Sequence, residues 1–376
     1  MRRAALVLIS LALVSCSAAA APDTPTPTPS TTASTSTTSS SVTTLPSTTT
    51  TIPYRLDLEG ADPALARLVT ALYAGDADPD SVPAPRAVTT AIADSPHEPP
   101  DSGTATMAAW DDETRLAVVE AGEDVTLAVA DPEWRIVGGW WPEMGVGPRL
   151  GGYPKIVAVV GSDARPGENR EAARTDSIHF VGMDRKGNAA VVGVPRDSWV
   201  PIPGAGNSKI NAALAFGGPD MMMDTFVELT GLDFDGYLLT GFAGFQELVD
   251  LLGGLAMDVP RDFNDRAAKA YLDAGEQVLD AAEALALART RKTLPRGDFQ
   301  RQEHGGLVLM AAQAMLRADG PHALPRLLAG AREHASTDMG PEELLLLSAA
   351  VIRVDPDRTV GRLVYDLGDG QWDIPA

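Results

Sequence analysis

Arginines and aspartates stand close together at two places in this chain. "GSDAR", "RTD" and "PRD" fall within residues 161–197, and "RTRK" and "GDFQR" fall within residues 289–301. A guanidinium group binds phosphate oxygens bidentately and stays charged at physiological pH. Aspartates offer the hard oxygen ligands that Mg²⁺ prefers. These residue types favour a phosphate or pyrophosphate site with a divalent cation, although a surface of Arg–Asp ion pairs would have the same composition.

A hairpin brings the first group together. The stretch "DSIHFVGMDRKGNAAVVGVPRD" predicts two antiparallel strands joined by the turn "DRKGN". In such a pair the start of one strand lies beside the end of the other. We therefore expect Arg174 and Asp176 to share one sheet edge with Arg196. "GSDAR" ends the preceding strand and leads into the hairpin, which adds Asp163 and Arg165 to that edge.

The second group follows a helical pattern. We expect a helix over 275–288 that ends near Arg289, because Pro295 discourages its continuation. Residues two apart point the same way along an extended segment. Arg289 and Arg291 should therefore lie side by side, and Arg301 should come from the start of the next helix.

These segments are positioned by an α/β fold. "KIVAVVGSD" is a continuous apolar run, typical of a strand buried on both faces, and several amphipathic helical segments follow the hairpin. Residues 151–376 are therefore predicted to form an α-β-α sandwich with a central mixed β-sheet. Residues 54–150 are predicted to be a small accessory α+β region, of unknown role, with a helix and three short strands. Its Trp140 and Trp141 favour core packing over a ligand-facing role.

Composition narrows the function. The 376 residues carry a formal net charge of −21, which argues against general binding to nucleic acid. No P-loop, dinucleotide fingerprint, metal-binding His pair or Ser–His–Asp arrangement is recognisable, and the five histidines are scattered.

The N-terminus predicts export. Residues 1–16 contain Arg2 and Arg3, an apolar run too short to span a bilayer, and "LVSC". This pattern resembles a bacterial lipoprotein signal in which Cys16, the single cysteine, is lipidated; a plain secretory signal is the alternative. Residues 17–53 are rich in Thr, Ser and Pro and are predicted to be a disordered linker.

Seven motifs occur in an order that is specific to one family. They are "VVGSDAR", "RTDSIHFVGMD", "VVGVPRDSWVPIPG", "SKINAALAFGG", "LVDLLGGLAMDVP", "AGEQVLDAAEALALARTR" and "GDFQR". Residues 153–355 thus resemble the LytR-CpsA-Psr family of cell-envelope transferases. The resemblance implies a Mg²⁺-dependent phosphotransferase that moves a polyprenyl-pyrophosphate-linked glycopolymer to a hydroxyl of peptidoglycan. It places the protein at the extracytoplasmic face of the membrane.

The resemblance also assigns roles to residues. Asp163 and Asp176 would hold Mg²⁺, and Lys209 and Asn211 would support the site. The phosphates would be bound by Arg165, Arg174, Arg196, Arg289, Arg291 and Arg301. Arg174 and Arg196 would act in catalysis by neutralising charge, and Asp163 is one candidate base. Leu248 and Leu252 are candidates for a lipid channel, although packing alone also explains them.

Two departures from the family pattern stand out. Gly305 replaces a glutamine that usually contacts phosphate; Gly305→Gln tests this, because tighter pyrophosphate binding would show that the site lacks only that contact. The usual anchor is a transmembrane helix rather than a lipoprotein signal. A lipid-pyrophosphate hydrolase and a non-catalytic envelope-binding lipoprotein remain alternative functions.

Overall fold

The structure of the chain, a computed structural model, describes residues 54–74 and 82–364. The predicted signal, Cys16 and the Thr/Ser/Pro-rich linker lie outside the described residues. Within the described ranges, every helix is too short or too polar to cross a bilayer.

Strands dominate the first half of the described chain and helices the second half. The helices are α1 (Pro63–Ala74), α2 (Arg86–Ala93), α3 (Ala212–Thr230), α4 (Phe242–Leu251), α5 (Ala281–Arg289), α6 (Asp298–Asp319), α7 (Leu324–Ala331) and α8 (Pro341–Ile352). The strands are β1 (Asp57–Glu59), β2 (Ser102–Ala109), β3 (Arg115–Ala121), β4 (Asp124–Ala130), β5 (Trp134–Trp141), β6 (Val146–Arg149), β7 (Lys155–Ser162), β8 (Thr175–Met183), β9 (Ala189–Gly193), β10 (Trp199–Ile202), β11 (Gly206–Lys209), β12 (Gly236–Thr240), β13 (Leu255–Val259), β14 (Phe263–Asp265), β15 (Ala270–Leu272), β16 (Gly275–Leu279) and β17 (Thr359–Val364).

The central sheet is mixed, as predicted. Its five strands run in the order β12-β7-β8-β9-β17. The predicted β8–β9 hairpin is antiparallel, β7 pairs antiparallel with β8, and the two outer strands pair in parallel. Alternate residues face opposite sides. Ala158 and Ile178 pack in a core with Phe226 of α3, whereas Val157 and Met183 pack in another core with α8. Helices thus cover both faces, and the α-β-α sandwich is confirmed.

The region before this sandwich builds a sheet of its own. Its strands follow chain order from β1 to β6. One face packs with α1 and α2, whose apolar positions recur at helical spacing. Trp141 is 0% exposed and its Nε1 donates to Thr126 Oγ1 over 2.9 Å. Trp140 is also buried, so both tryptophans belong to packed cores, as the sequence favoured.

Helix α8 is buried on nearly every side. Its sequence "PEELLLLSAAVI" is apolar all round, as expected for a helix with packed neighbours on more than one face. Pro341 takes the first helical position, and Glu343 Oε2 accepts from the Gly340 N–H over 2.7 Å, which fixes the start of the helix. Leucines 344–347 share one core with Leu116 and Leu127 of the N-terminal sheet and with Val157 of the central sheet.

One predicted helix was wrong in its first half. Residues 275–279 form β16, which pairs antiparallel with β13, and the helix begins only at Ala281. Asp280 explains the boundary, because its carboxylate accepts from the Glu283 N–H while Glu283 reaches back to the Asp280 N–H. This capping box starts a helix at that point. The end of the helix at Arg289 is as predicted.

Candidate functional site

The ends of β7 and β8 place Asp163 and Arg174 together. The Asp163 N–H donates to the Arg174 carbonyl over 2.8 Å, and the Arg174 N–H donates to Asp163 Oδ1 over 3.0 Å. These bonds close the loop 163–174. The Arg174 side chain is exposed, and among the described residues no ion pair holds its guanidinium. The loop therefore presents a carboxylate and a guanidinium at the sheet edge.

Arg196 and Asp176 meet directly, as the hairpin requires. Arg196 Nη1 donates to Asp176 Oδ1. The Arg196 backbone N–H donates to Asp298 Oδ2 over 3.1 Å, which ties the end of the hairpin to the start of α6. Burial alone would lower the pKa of Arg196, but the carboxylates of Asp176, Asp197 and Asp298 outweigh it and raise the pKa. The guanidinium is thus held charged in a half-buried position.

Asp197 is the centre of a cluster of cations. Lys209 Nζ lies 3.0 Å from its Oδ1, and Arg291 Nη2 lies 3.2 Å from its Oδ2. Arg196 Nε is 4.0 Å away. Burial would raise the pKa of Asp197, but Lys209, Arg196 and Arg291 overcome this and hold the pKa below its usual range. Three cations thus converge on Asp197, while Asp176 and Asp298 offset part of their charge.

Arg301 lies behind that cluster. Its side chain is 6% exposed, and its Nη2 donates to the Asp176 carbonyl over 2.6 Å. The same nitrogen lies 2.5 Å from Asp298 Oδ1, but this contact is an ion pair without the directionality of a hydrogen bond. Burial is the main cause that lowers the pKa of Arg301. Arg301 lies in the first turn of α6, as predicted, and its internal partners make it a support for Asp176 and Asp298.

A cleft of about 730 Å³ is lined by Arg289, which stands two residues before Arg291 of the cluster. Arg165 and Arg289 line it together with the apolar side chains of Phe242, Leu272 and Leu285. The Arg289 guanidinium lies over the Phe242 ring, 4.5 Å from its centroid. Arg289 and Arg291 therefore do not lie side by side as expected, because one faces the cleft and the other binds Asp197. An anionic group with an apolar tail matches this lining.

A second depression, of about 580 Å³, is bounded by the loop 163–174. We call it the loop groove. It is lined by Asp163, Glu168, Asn169, Ala172, Ala173, Arg174 and Ala215. Its lining residues differ from those of the cleft, and none of them is a large apolar side chain.

Asn211 and Gly305 occupy supporting positions. Asn211 is buried, and its carbonyl accepts from the Thr175 N–H over 3.2 Å, which links the start of α3 to β8. Gly305 lies where α6 crosses β8, and a Cβ there would approach His179 Cε1 to 2.5 Å. The helix backbone must come this close to the sheet, so a glutamine cannot be added at position 305 without displacing His179.

Leu248 and Leu252 are not among the residues that line the cleft, and Leu252 packs against the core that contains Leu255 and Leu287. The residues at the cleft wall are instead Phe242, Leu272 and Leu285. Packing, the second of the two explanations offered by the sequence, accounts for Leu252.

Asp197 and Asp298 are site residues that were not predicted from the sequence. Asp197 and Asp298 orient Arg196, Arg291, Lys209 and Arg301. The signal was present in "PRD" and "GDFQR", where an aspartate stands one residue after Arg196 and three residues before Arg301. The roles of these aspartates depend on which arginine each one contacts. Spacing in the sequence does not show this, because Asp298 contacts Arg196 from a distant part of the chain.

The fold and this edge define a class: an α-β-α domain with an anion-binding site built from arginines at the strand ends of a mixed sheet. Residues 150–359 match the model of the LytR_cpsA_psr family. The chain belongs to that family.

Individual relatives agree with this assignment. The chain is 38% identical over 155 residues to "Probable cell wall biosynthesis protein LcpB" of Corynebacterium glutamicum, covering 38% of this chain and 37% of the relative. It is 36% identical over 160 residues to the polyisoprenyl-teichoic acid–peptidoglycan teichoic acid transferase TagU of Bacillus cereus, covering 42% and 51%. The chain thus spans about half or less of these curated relatives. The crystal structure of protein gbs0355 from Streptococcus agalactiae shares the fold, with a TM-score of 0.50, 21% identity and coverage of 57% and 77%.

Proposed function

We propose that this protein transfers a glycopolymer from a polyprenyl pyrophosphate carrier to a hydroxyl of peptidoglycan, forming a phosphodiester. The observation that carries the proposal is the cation cluster at the end of β9. Arg196, Lys209 and Arg291 surround Asp197, and the adjacent cleft joins two guanidinium groups to an apolar wall. A lipid pyrophosphate has the matching chemistry, with a doubly anionic head and an apolar tail. Relatives named as teichoic acid transferases support the same reaction.

The chemistry follows from these positions. The acceptor oxygen bonds to the phosphorus that carries the glycopolymer, and the bond from that phosphorus to the bridging oxygen breaks. Polyprenyl phosphate leaves with the electron pair, and the acceptor proton passes to a carboxylate at this edge of the sheet. Arginines stabilise charge on the transferred phosphoryl group, as positioning and neutralisation dominate such transfers. The pyrophosphate bond supplies the free energy, so no nucleotide is needed.

Mg²⁺ is part of the proposal. Asp163 and Asp176 follow neighbouring strands, and each carboxylate has one oxygen that accepts from the protein. Within the described residues, no group of three or more acidic, His or Cys side chains forms a closed metal site. This donor set fits Mg²⁺, which is commonly held by one or two carboxylates plus substrate phosphates. When bound, the ion would neutralise phosphate charge.

We also propose that the protein acts at the extracytoplasmic face of the membrane, anchored by a lipid on Cys16. Support comes from the charged, apolar and "LVSC" segments of residues 1–16 and from relatives named for cell-wall synthesis. Cys16→Ala should move the protein from the membrane fraction to the soluble fraction of a cell lysate. Equal retention of the wild-type protein and the variant would contradict a lipid anchor.

The transfer is tested with the full chain, Mg²⁺, a lipid-pyrophosphate oligosaccharide and peptidoglycan fragments. The expected product is a phosphodiester between oligosaccharide and fragment, detected by mass spectrometry. Arg196→Lys keeps the charge but loses the fork of donors, and should lower the transfer rate by about ten- to a hundredfold.

The same reaction separates the alternatives. Free phosphorylated oligosaccharide without coupled product would support a hydrolase. Binding of the lipid pyrophosphate without turnover, unaffected by Asp176→Ala, would support a non-catalytic binding protein.

A further inference from the structure

We propose that the loop groove is the site where the acceptor glycan binds, with its hydroxyl directed towards Asp163. This inference rests on the proposed transfer reaction and assigns its second substrate to a separate surface. Both depressions are bounded by the loop 163–174, which supplies Arg165 to the cleft and Asp163 and Arg174 to the loop groove.

The linings of the two depressions suit different ligands. The cleft combines three cationic side chains with Phe242 and other apolar side chains, which suits an anionic lipid, and it also contains Glu283 and Gln246. The loop groove likewise has a carboxylate and an amide, from Glu168 and Asn169, but its lining has no apolar side chain larger than alanine. Amide and carboxylate groups exchange hydrogen bonds with hydroxyls, and alanines leave room for a saccharide ring.

Helix α3 carries an exposed aromatic side chain one residue after the Ala215 of the lining. Phe216 directly follows Ala215 of the lining and is 54% exposed, although large apolar side chains are usually covered. An exposed aromatic ring beside hydrogen-bonding groups is a surface on which the apolar face of a sugar ring can pack. A lipid tail would find no apolar wall in this groove, so the saccharide is the favoured occupant.

The geometry of phosphoryl transfer also favours binding of the lipid in the cleft and of the acceptor in the loop groove. The attacking oxygen and the leaving oxygen lie roughly in line on opposite sides of the transferred phosphorus. If the lipid phosphate leaves towards the cleft, the acceptor must approach from a different side, and the loop groove is the depression that carries Asp163. The acceptor oxygen then forms its bond to phosphorus on the side opposite the bond that breaks to the polyprenyl phosphate.

Exposed alanines allow each depression to be filled without disturbing the core. Ala215 lines the loop groove, Ala282 lines the cleft, and Ala318 lies on the exposed side of α6 and lines neither. Each is replaced by Trp in the full chain, and thermal unfolding verifies that each variant is folded. Transfer is measured against the concentrations of the lipid donor and of the peptidoglycan fragment. Binding of an uncrosslinked peptidoglycan fragment and of inorganic pyrophosphate is measured separately by calorimetry.

Ala215→Trp should raise the KM for the fragment and its Kd by about tenfold or more, with the donor KM and pyrophosphate binding changed less than about twofold. Ala282→Trp should do the opposite, and Ala318→Trp should change neither. The inference is overturned if Ala215→Trp affects the donor instead, if it affects neither ligand, or if the wild-type protein does not bind the fragment. Failure of the proposed function looks different: the wild-type protein binds the fragment at the loop groove but forms no phosphodiester.

Discussion

Replacing Arg301 should mainly reduce stability, whereas replacing Arg291 should mainly weaken pyrophosphate binding. Both residues belong to the arginine-rich stretch 289–301. Arg301 is 6% exposed and faces Asp298, whose side chain is 9% exposed. Removing one partner of a buried ion pair leaves the other charge uncompensated, which costs about 3–5 kcal/mol. We therefore expect Arg301→Met to lower the free energy of unfolding by about that amount.

Arg291 differs because its side chain is 38% exposed. Solvent screens an exposed pair, so Arg291→Met should lower the free energy of unfolding by less than about 1 kcal/mol. Its guanidinium stands in the cation cluster, so the affinity for inorganic pyrophosphate should fall by about tenfold. The two variants thus separate a structural arginine from a ligand-binding one.

Urea unfolding of the full chain followed by circular dichroism measures the first effect, and calorimetry with inorganic pyrophosphate measures the second. Asp298→Asn provides the control, because it removes the charge that Arg301 neutralises while keeping an acceptor for the Arg196 N–H. The double variant should recover at least about 1 kcal/mol of the loss caused by Arg301→Met alone. The reasoning is refuted if Arg301→Met unfolds at the wild-type midpoint, or if Arg291→Met loses as much stability as Arg301→Met.

Three further predictions follow from buried groups. Gly305→Gln should destabilise the fold by about 1–3 kcal/mol without tightening pyrophosphate binding, since its Cβ meets His179; an unchanged melting temperature would contradict this. Burial lowers the pKa of His179 and of His304 to about 4, so both are neutral when folded but become protonated when unfolded below about pH 6.5. Stability should therefore fall as pH drops from about 6.5 to 4, by up to about 3 kcal/mol for each histidine, and His179→Gln should flatten the urea-midpoint profile. Trp141→Ala should cost about 3–5 kcal/mol because the ring is fully buried, and a loss below about 1 kcal/mol would reopen a ligand-facing role.

The elements of the fold that could be predicted from the sequence were those set by residues close together in the chain. The turn Asp184–Asn188 fixes the β8–β9 hairpin, and antiparallel pairing then brings Arg196 to Asp176. The edge strands β12 and β17 escaped notice, because parallel pairing joins segments far apart in sequence and leaves no local turn. Residues 275–279 were mistaken for helix because they precede an Ala- and Leu-rich helix without an intervening glycine or proline.

The candidate site was likewise predictable only where its geometry is set locally in the chain. Residue types and hairpin geometry sufficed to bring Arg174, Asp163 and Asp176 to one edge. Burial could not be read from the arginines themselves, because the same side chain serves as a core ion pair at 301 and as a half-exposed cation at 291. The role of Asp197 likewise depends on its ion pairs with Lys209 and Arg291, which belong to distant segments of the chain.

Helix α8 has a consequence for how this protein can be divided. Its leucines share one core with residues of both sheets, so removing residues 54–150 would uncover a strip of leucine side chains along the remaining domain. Such a strip favours self-association in water. The truncated domain is therefore expected to aggregate, and its inactivity would say nothing about whether the N-terminal sheet takes part in the proposed reaction. Polar substitutions on that side of α8, made together with the truncation, would be needed to separate the two sheets experimentally.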